Sequence, residues 1–250
     1  MAPRQCARAL EVKRPPAYSG AEALVYMASW FCRPAIVKVR VPKSYRHRSL
    51  DEALRTRRTI IESKAMKAAL EAGVSVPALY FVDPVEKVIV MEYVEGQPLA
   101  ELLDRDPARA REAAREAGLQ AGRLHRAGIA HGDLTTSNIV VGHGGVYMID
   151  FGLASLHADI DDKAVDIHLF MRSLESTHPE HVDAMMSSFL AGYLKALGEQ
   201  EAYRVVQRAE EIRMMGRYRE ERRRSVWGGG EVEQRETGGS ILRYLKQAQA

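Results

Sequence analysis

Three oxygen-bearing side chains stand close together in the middle of the chain. HGDLTTSNIVV runs from His131 to Val141, and YMIDFGLA follows from Tyr147 to Ala154. Their apolar runs read as short strands, yet they carry Asp133, Asn138 and Asp150. Buried polar groups need partners. A hairpin brings strand ends together, so these three side chains converge. Two carboxylates and an amide oxygen make a hard-oxygen cluster suited to Mg²⁺, which takes few protein ligands and shares phosphate oxygens. Phe151 and Gly152 then supply an apolar anchor and a flexible joint.

The elements that must position this cluster follow from pattern. Residues 24–41, LVYMASWFCRPAIVKVRV, read as two strands around a turn near Arg33-Pro34. RSLDEALRTRRTIIESKAMKAALEAGV reads as a helix, with Leu54, Ile61, Ala65, Ala68 and Ala69 near one face and Gly73 as its stop. ALYFVD and KVIVMEYV are strand-like, and Gly96-Gln97-Pro98 breaks the pattern at the lobe boundary. Residues 99–127 are helical with a break near Asp104–Pro107. IAHGD, NIVV and VYMID read as short strands, the last two joined by a glycine-rich turn over 142–145. Helices follow over roughly 163–176, 179–197 and 199–225. The fold class is therefore α+β and two-lobed. Its parts are a flexible leader 1–17, an N-terminal lobe 18–96, a mostly helical C-terminal lobe 97–227 with a basic tail, and a linker with a short helix-forming tail 228–250.

Composition narrows the function classes. At 250 residues and 46% hydrophobic, the chain suits one large domain or two small lobes. Cys6 and Cys32 form no CxxC pair and no disulfide framework, so they read as incidental thiols of a reduced protein. No apolar run has the length of a membrane span, and MAPRQCARALEVKRPP lacks an apolar signal core. The net charge of +3 is mild, but RMMGRYREERRR concentrates Arg213, Arg217, Arg219, Arg222, Arg223 and Arg224 in one segment. By pattern alone this is either a solvated helix end or a phosphate-tracking surface.

HGDLTTSN resembles the catalytic loop of protein kinase-like enzymes, and Asp150-Phe151-Gly152 matches their magnesium-binding motif in order and spacing. The resemblance implies a protein kinase-like fold and a role for upstream residues. Lys38, in AIVK, looks like the strand lysine that holds the nucleotide's phosphates. Glu62 looks like its ion-pair partner, with Glu52 and Glu71 as rivals. SGAEALVY offers only Gly20, with Ala21 and Ala23 as small residues, where a kinase has GxGxxG; the nucleotide lid is modified. Met91, Glu92 and Val94 fall where adenine meets the hinge. Asp133 would orient or deprotonate the attacking group, and Asn138 and Asp150 would hold Mg²⁺, or Mn²⁺ in its place. Asp166 resembles the carboxylate that braces the catalytic loop, and His131 a brace for the DFG turn. HGD replaces HRD, no APE motif follows, and the segment after Asp150 is short, so the C-terminal lobe is reduced and lacks a full activation segment.

Further segments sharpen the resemblance: GAEALVY, VPKSYRHRSLDEALRTRRTIIESKAM, MEYVEG, DKAVDIHLFMRSLESTHPE and RMMGRYREERRR. With the two motifs they resemble the PRPK-type atypical kinases, the small kinase subunit of the KEOPS (EKC) complex, over about residues 18–227. LTTSN and the KSYRH segment set that family apart from RIO kinases and aminoglycoside phosphotransferases. The resemblance implies an ATP-hydrolysing, autophosphorylating Ser/Thr kinase subunit. It would support formation of threonylcarbamoyladenosine in tRNA, in the cytoplasm or nucleus. A Kae-type transferase subunit and a small Cgi-type subunit would be its partners, and tRNA would meet the arginine cluster. The alternatives are a free-standing Ser/Thr protein kinase, a small-molecule phosphotransferase and a tRNA-binding scaffold with a vestigial ATP site.

Overall fold

A computed structural model describes residues 9–20, 22–227 and 240–249; over 216–227 and at 249 it describes the backbone alone. The N-terminal sheet begins with β1 (Leu10–Val12) and β2 (Tyr18–Ser19), both antiparallel to β3 (Ala23–Trp30). Residues 10–12, expected in a leader, are thus bound to the sheet. Leu10 packs against the small cluster of Ala28, Ala35, Val37 and Val90, which accounts for the difference. β4 (Arg33–Arg40) returns along β3. Its turn is Phe31-Cys32, two positions ahead of the expected one. Both residues have positive φ, 44° and 64°. That geometry matches the right-handed strand twist in a two-residue hairpin and frees Arg33 and Pro34 to join β4. Cys32 is disulfide-bonded, which corrects the reading of its thiol as incidental; Cys6 lies outside the described residues.

Helix α1 (Arg48–Glu71) crosses behind the sheet and buries Thr59, Glu62, Ala65, Met66 and Ala69. It stops where Gly73 turns to φ +75° and Val74 N–H reaches back to Ala69 O at 2.9 Å. β5 (Leu79–Asp83) and β6 (Val88–Glu92) complete the sheet in the order β1-β3-β4-β6-β5, so β4 has neighbours on both sides. The lysine strand is consequently central and held rigid.

The boundary segment is itself a strand. β7 (Gly96–Pro98) leads into α2 (Leu99–Arg105) and α3 (Pro107–Arg126), then pairs with β8 (Ile139–Gly142), which pairs with β9 (Gly145–Met148). Gly96 is required there, because a Cβ would stand 2.5 Å from Val141 O. Asp106 caps α3 by accepting from Arg109 N–H at 3.1 Å, and Pro107 occupies the first turn. IAHGD is not a strand: only Ala130 bridges to Ser155, and other groups hold the segment, as described below.

α4 (Ile160–Thr177), α5 (Val182–Leu197) and α6 (Glu199–Trp227) form the lower lobe with α3. Helices α3 and α5 meet through glycines. A Cβ at Gly118 would overlap the Phe189 carbonyl, and one at Gly192 would overlap the Arg115 carbonyl. The expected tail is α7 (Ile241–Gln249), and it is docked rather than free. Ile241, Tyr244 and Leu245 are buried, and the Tyr244 hydroxyl donates to Asp183 Oδ1 at 2.7 Å. Among the described residues no helix is long and apolar enough to cross a membrane.

The α3–α5 contact has a direct test. Gly118→Ala is expected to lower the unfolding free energy by about 1–3 kcal/mol through overpacking. Urea denaturation measures it, and an unchanged midpoint would contradict this packing.

Candidate active site

Between the lobes lies a cleft of about 850 Å³. β4 places Lys38 in it, 7% exposed, because alternate residues of a central strand share a face. Lys38 Nζ donates to Glu62 Oε1 at 2.7 Å and to Asp150 Oδ1 at 2.8 Å. Glu62 is fully buried on the inner face of α1. Its rivals lie elsewhere: Glu52 pairs with Lys87, and Glu71 with Lys67. Burial pushes the Lys38 ammonium down, but the carboxylates of Glu62 and Asp150 outweigh it and hold its pKa above the ordinary value. Asp150 shows the mirror image. Burial pushes its carboxyl up, and Lys38 together with Arg40 brings it below the usual range.

Asp150 follows the end of β9 with φ +64°, a left-handed turn that aims its carboxylate back at Lys38. Across from it, Asn138 Nδ2 donates to Asp133 O at 2.9 Å and to Asp133 Oδ2 at 3.0 Å. The amide is therefore turned so that its oxygen is the group left for a cation. Among the described residues no group of three or more His, Cys, Asp or Glu gathers around a metal-sized site. A two-ligand set of Asn138 and Asp150 fits Mg²⁺, whose remaining positions go to phosphate and water.

The catalytic loop is suspended from one carboxylate. Asp166, fully buried on α4, accepts from His131 N–H at 2.6 Å and Gly132 N–H at 2.8 Å. His125 Nε2 lies 3.1 Å from Asp166 Oδ2, and His125 Nδ1 lies 2.7 Å from the Tyr193 hydroxyl. Burial, reinforced by Asp166, pushes the Tyr193 phenol well above its ordinary value, so it stays protonated. His131 Nδ1 accepts from Asp133 N–H at 3.3 Å, which leaves Nε2 to donate to Ile149 O at 3.0 Å. Its ring also packs on Phe151, 4.5 Å between centroids. The loop and the DFG turn are thus locked to each other and to α4.

Gly20, Lys38, Glu62, Met91, Glu92, Val94, Asp133, Asn138 and Asp150 all line this one cleft. Ala21 lies outside the described residues. Glu22, at the foot of the lid, pairs with Arg58 of α1 and with Arg46 at 3.4 Å. Arg213 is corrected: it is 4% exposed, and its Nη2 donates to Glu175 at 2.8 Å, so it ties α6 to α4 instead of facing a phosphate. The side chains of Arg217, Arg219, Arg222, Arg223 and Arg224 lie outside the described residues. Sequence reasoning missed His125 and Tyr193, which sit far from Asp166 in the chain and carry no motif. It also missed Arg40, whose signal was present: it stands on the same face of β4 as Lys38.

A family model, the RIO domain, matches residues 37–163. That span takes in Lys38, Glu62, Asp133, Asn138 and Asp150. The chain is also 44% identical over 208 residues to KEOPS complex subunit Bud32 of Pyrococcus abyssi, covering 80% of this chain and 94% of that protein. It belongs to the Bud32 family of RIO-domain kinases. A second Bud32 relative, a probable serine/threonine-protein kinase of Archaeoglobus fulgidus, is 38% identical and 95% covered. A probable bifunctional tRNA threonylcarbamoyladenosine biosynthesis protein of Methanothermobacter thermautotrophicus is 41% identical, but the match spans only 36% of it. Among solved structures, the Rio2 kinase of Chaetomium thermophilum, crystallised as an ADP/Mg²⁺-phosphoaspartate complex, superposes with a TM-score of 0.54 at 19% identity. It covers 83% of this chain and 72% of that one, and shows the kinase-like fold. The segments read as separating this family from RIO kinases therefore mark a branch within the RIO domain, not a fold apart from it.

Asp166→Ala is expected to destabilise the protein by at least about 1–3 kcal/mol, since it strands two buried N–H groups. Asp166→Asn keeps the volume and one acceptor and should lose less. Thermal unfolding compares them; equal stability of all three proteins would contradict the bracing role.

Proposed function

We propose that the chain is the MgATP-dependent kinase/ATPase subunit of a KEOPS complex and supports threonylcarbamoyladenosine formation in tRNA. One observation carries the catalytic part: Lys38 is already held between Glu62 and Asp150 at the closed end of the cleft. Phosphoryl transfer asks mainly for positioning and charge neutralisation, and this arrangement supplies both. Lys38 would hold the phosphates, with Glu62 fixing its ammonium. Asp133, oriented by Asn138, would receive or steer the proton of the attacking water or hydroxyl. Asn138 and Asp150 would hold Mg²⁺, or Mn²⁺ in its place, which offsets phosphate charge when bound. Gly20 and Ala21 would cover the nucleotide. Adenine would meet backbone groups of the hinge between Glu92 and Val94, beside Met91. The N–H groups of Glu92 and Tyr93 are committed to Ala78 O and Pro34 O, so Val94 is the contact left at that edge.

The relatives support the assembly. One is a KEOPS subunit by name, and another carries a match to this chain within about a third of a bifunctional protein for this tRNA modification. The remaining length of such a protein suits the transfer activity. In this reading a Kae-type transferase and a small Cgi-type subunit are the partners. The tRNA follows Arg217, Arg219, Arg222, Arg223 and Arg224, each phosphate contact adding salt-dependent affinity. The setting is cytoplasmic or nuclear. Autophosphorylation on Ser or Thr fits the same chemistry. A second reading, a free-standing Ser/Thr kinase, has the name of the Archaeoglobus relative in its favour. Against it, only residues 151–159 separate Asp150 from α4, too few for a peptide-docking platform.

ATP hydrolysis decides between these readings. The protein would be assayed alone and with a Kae-type partner and tRNA, beside Asp150→Ala. Turnover should depend on the partner, rise with tRNA and fall by on the order of 100-fold in the variant. Equal, low activity in both proteins with tRNA binding intact would overturn the catalytic reading and leave the scaffold.

A further inference from the structure

Arg40 follows Lys38 by two positions on β4, so both side chains leave the same face of the strand. It is 5% exposed and lines the same cleft. Its Nη2 donates to Glu62 Oε2 at 2.5 Å, while Lys38 takes Oε1. One buried carboxylate is thus divided between two cations, one on each oxygen. The same guanidinium abuts the turn after Asp150: a Cβ on Gly152 would stand 2.6 Å from Arg40 Nη2. Arg40 therefore touches β4, α1 and the DFG turn at once. Its Nε is buried without a hydrogen-bond partner among the described residues.

The charges explain why a second cation belongs here. Lys38 faces two carboxylates, Glu62 and Asp150. With Arg40 the four groups balance; without it, the buried Glu62 and the part-exposed Asp150 share one ammonium and the cluster carries one excess negative charge. The balance matters most when the cleft is loaded. A phosphate on Lys38 would share the ammonium that Glu62 fixes, and Arg40 is the second cation that keeps Glu62, and with it α1, in place. Arg58 and Glu22 also face this end of the cleft but pair with each other.

We propose that Arg40 is a positioning residue for phosphoryl transfer. Acting through Glu62, it holds α1 and the DFG turn together, and so replaces the ordering that a phosphorylated activation segment gives regulated kinases. The inference rests on the reading of the cleft as an MgATP site.

A double-mutant cycle tests it. Arg40→Met, Arg40→Lys, Glu62→Gln and Arg40→Met/Glu62→Gln would be compared for kcat and KM of ATP hydrolysis with the Kae-type partner and tRNA present, and for MgADP affinity of the protein alone. Tyr244→Phe, which removes the hydrogen bond from α7 to Asp183, serves as a variant destabilised away from the cleft. Arg40→Met should lower kcat/KM by about 10-fold or more, and Arg40→Lys should restore part of the loss. The double variant should be no worse than Glu62→Gln, and Tyr244→Phe should keep its kcat/KM. Should Arg40→Met not fold, Arg40→Lys takes its place in the cycle with the same expected non-additivity. Losses that multiply in the double variant would overturn the inference in favour of direct phosphate contact. An unchanged kcat/KM in the Arg40 variants would also overturn it. If the unsubstituted protein binds no MgADP, the reading of the cleft itself falls.

Discussion

Lys38 is a buried cation, and a charge removed from water is tolerated only with opposite charge and hydrogen bonds against it. Glu62 and Asp150 meet that demand from two different parts of the chain, helix α1 and the turn after β9. The requirement therefore does more than satisfy a lysine. It fixes how the helix of the upper lobe and the hairpin of the lower lobe face each other. Removing one partner of such a group typically costs about 3–5 kcal/mol. The ends of the cleft are thus held by the same charges that its chemistry would use.

Everything below the cleft serves to keep Asp150 and Asp133 at the right depth. Asp166 holds the backbone before Asp133, and His131 ties that backbone to Ile149, next to Asp150. His125 and Tyr193 stiffen Asp166 from α3 and α5. Those two helices approach closely only because Gly118 and Gly192 have no side chain. A chain of contacts therefore runs from helix packing to the catalytic loop. The rigidity suits a kinase whose segment after Asp150 is too short to be ordered by phosphorylation.

Most of the site was legible because its residues sit in local motifs. Lys38, Asp133, Asn138 and Asp150 lie in short runs whose order and spacing survive without coordinates. Glu62 was legible through the kinase resemblance, by its place mid-helix after RRTI, with Glu52 and Glu71 left as rivals. Arg40 was missed although its place two residues after Lys38 sets it on the same face of β4. His125 and Tyr193 were not legible, since their roles arise from tertiary contacts that no local pattern encodes. Arg213 was misread for the same reason: charge clustering along the chain says nothing of the Glu175 that meets it from α4. Among elements, IAHGD was misread as a strand because Ile129 is buried in the main core while the backbone that follows is held by Asp166, not by a sheet. The Phe31-Cys32 turn was misplaced because two non-glycine residues adopt left-handed backbone there. A proline two positions on looked like the better turn-former.

The most direct test of this account is the titration of Lys38 in the nucleotide-free protein, followed by ¹⁵N NMR of its ammonium group. Two effects oppose each other there: burial lowers its pKa, and the two carboxylates raise it. Because the folded value is raised, the stability that Lys38 contributes is complete below its ordinary value of 10.5 and lost as pH climbs through the folded value. Asp150, whose folded value is depressed, contributes above its ordinary 3.8 and loses that contribution as pH falls through the lowered value. The account predicts that Lys38 stays protonated past 10.5 and that Glu62→Gln moves its titration downward. A Lys38 that titrates below 10.5 in the unsubstituted protein, indifferent to Glu62→Gln, would show that the preassembled ion pair does not hold the cleft.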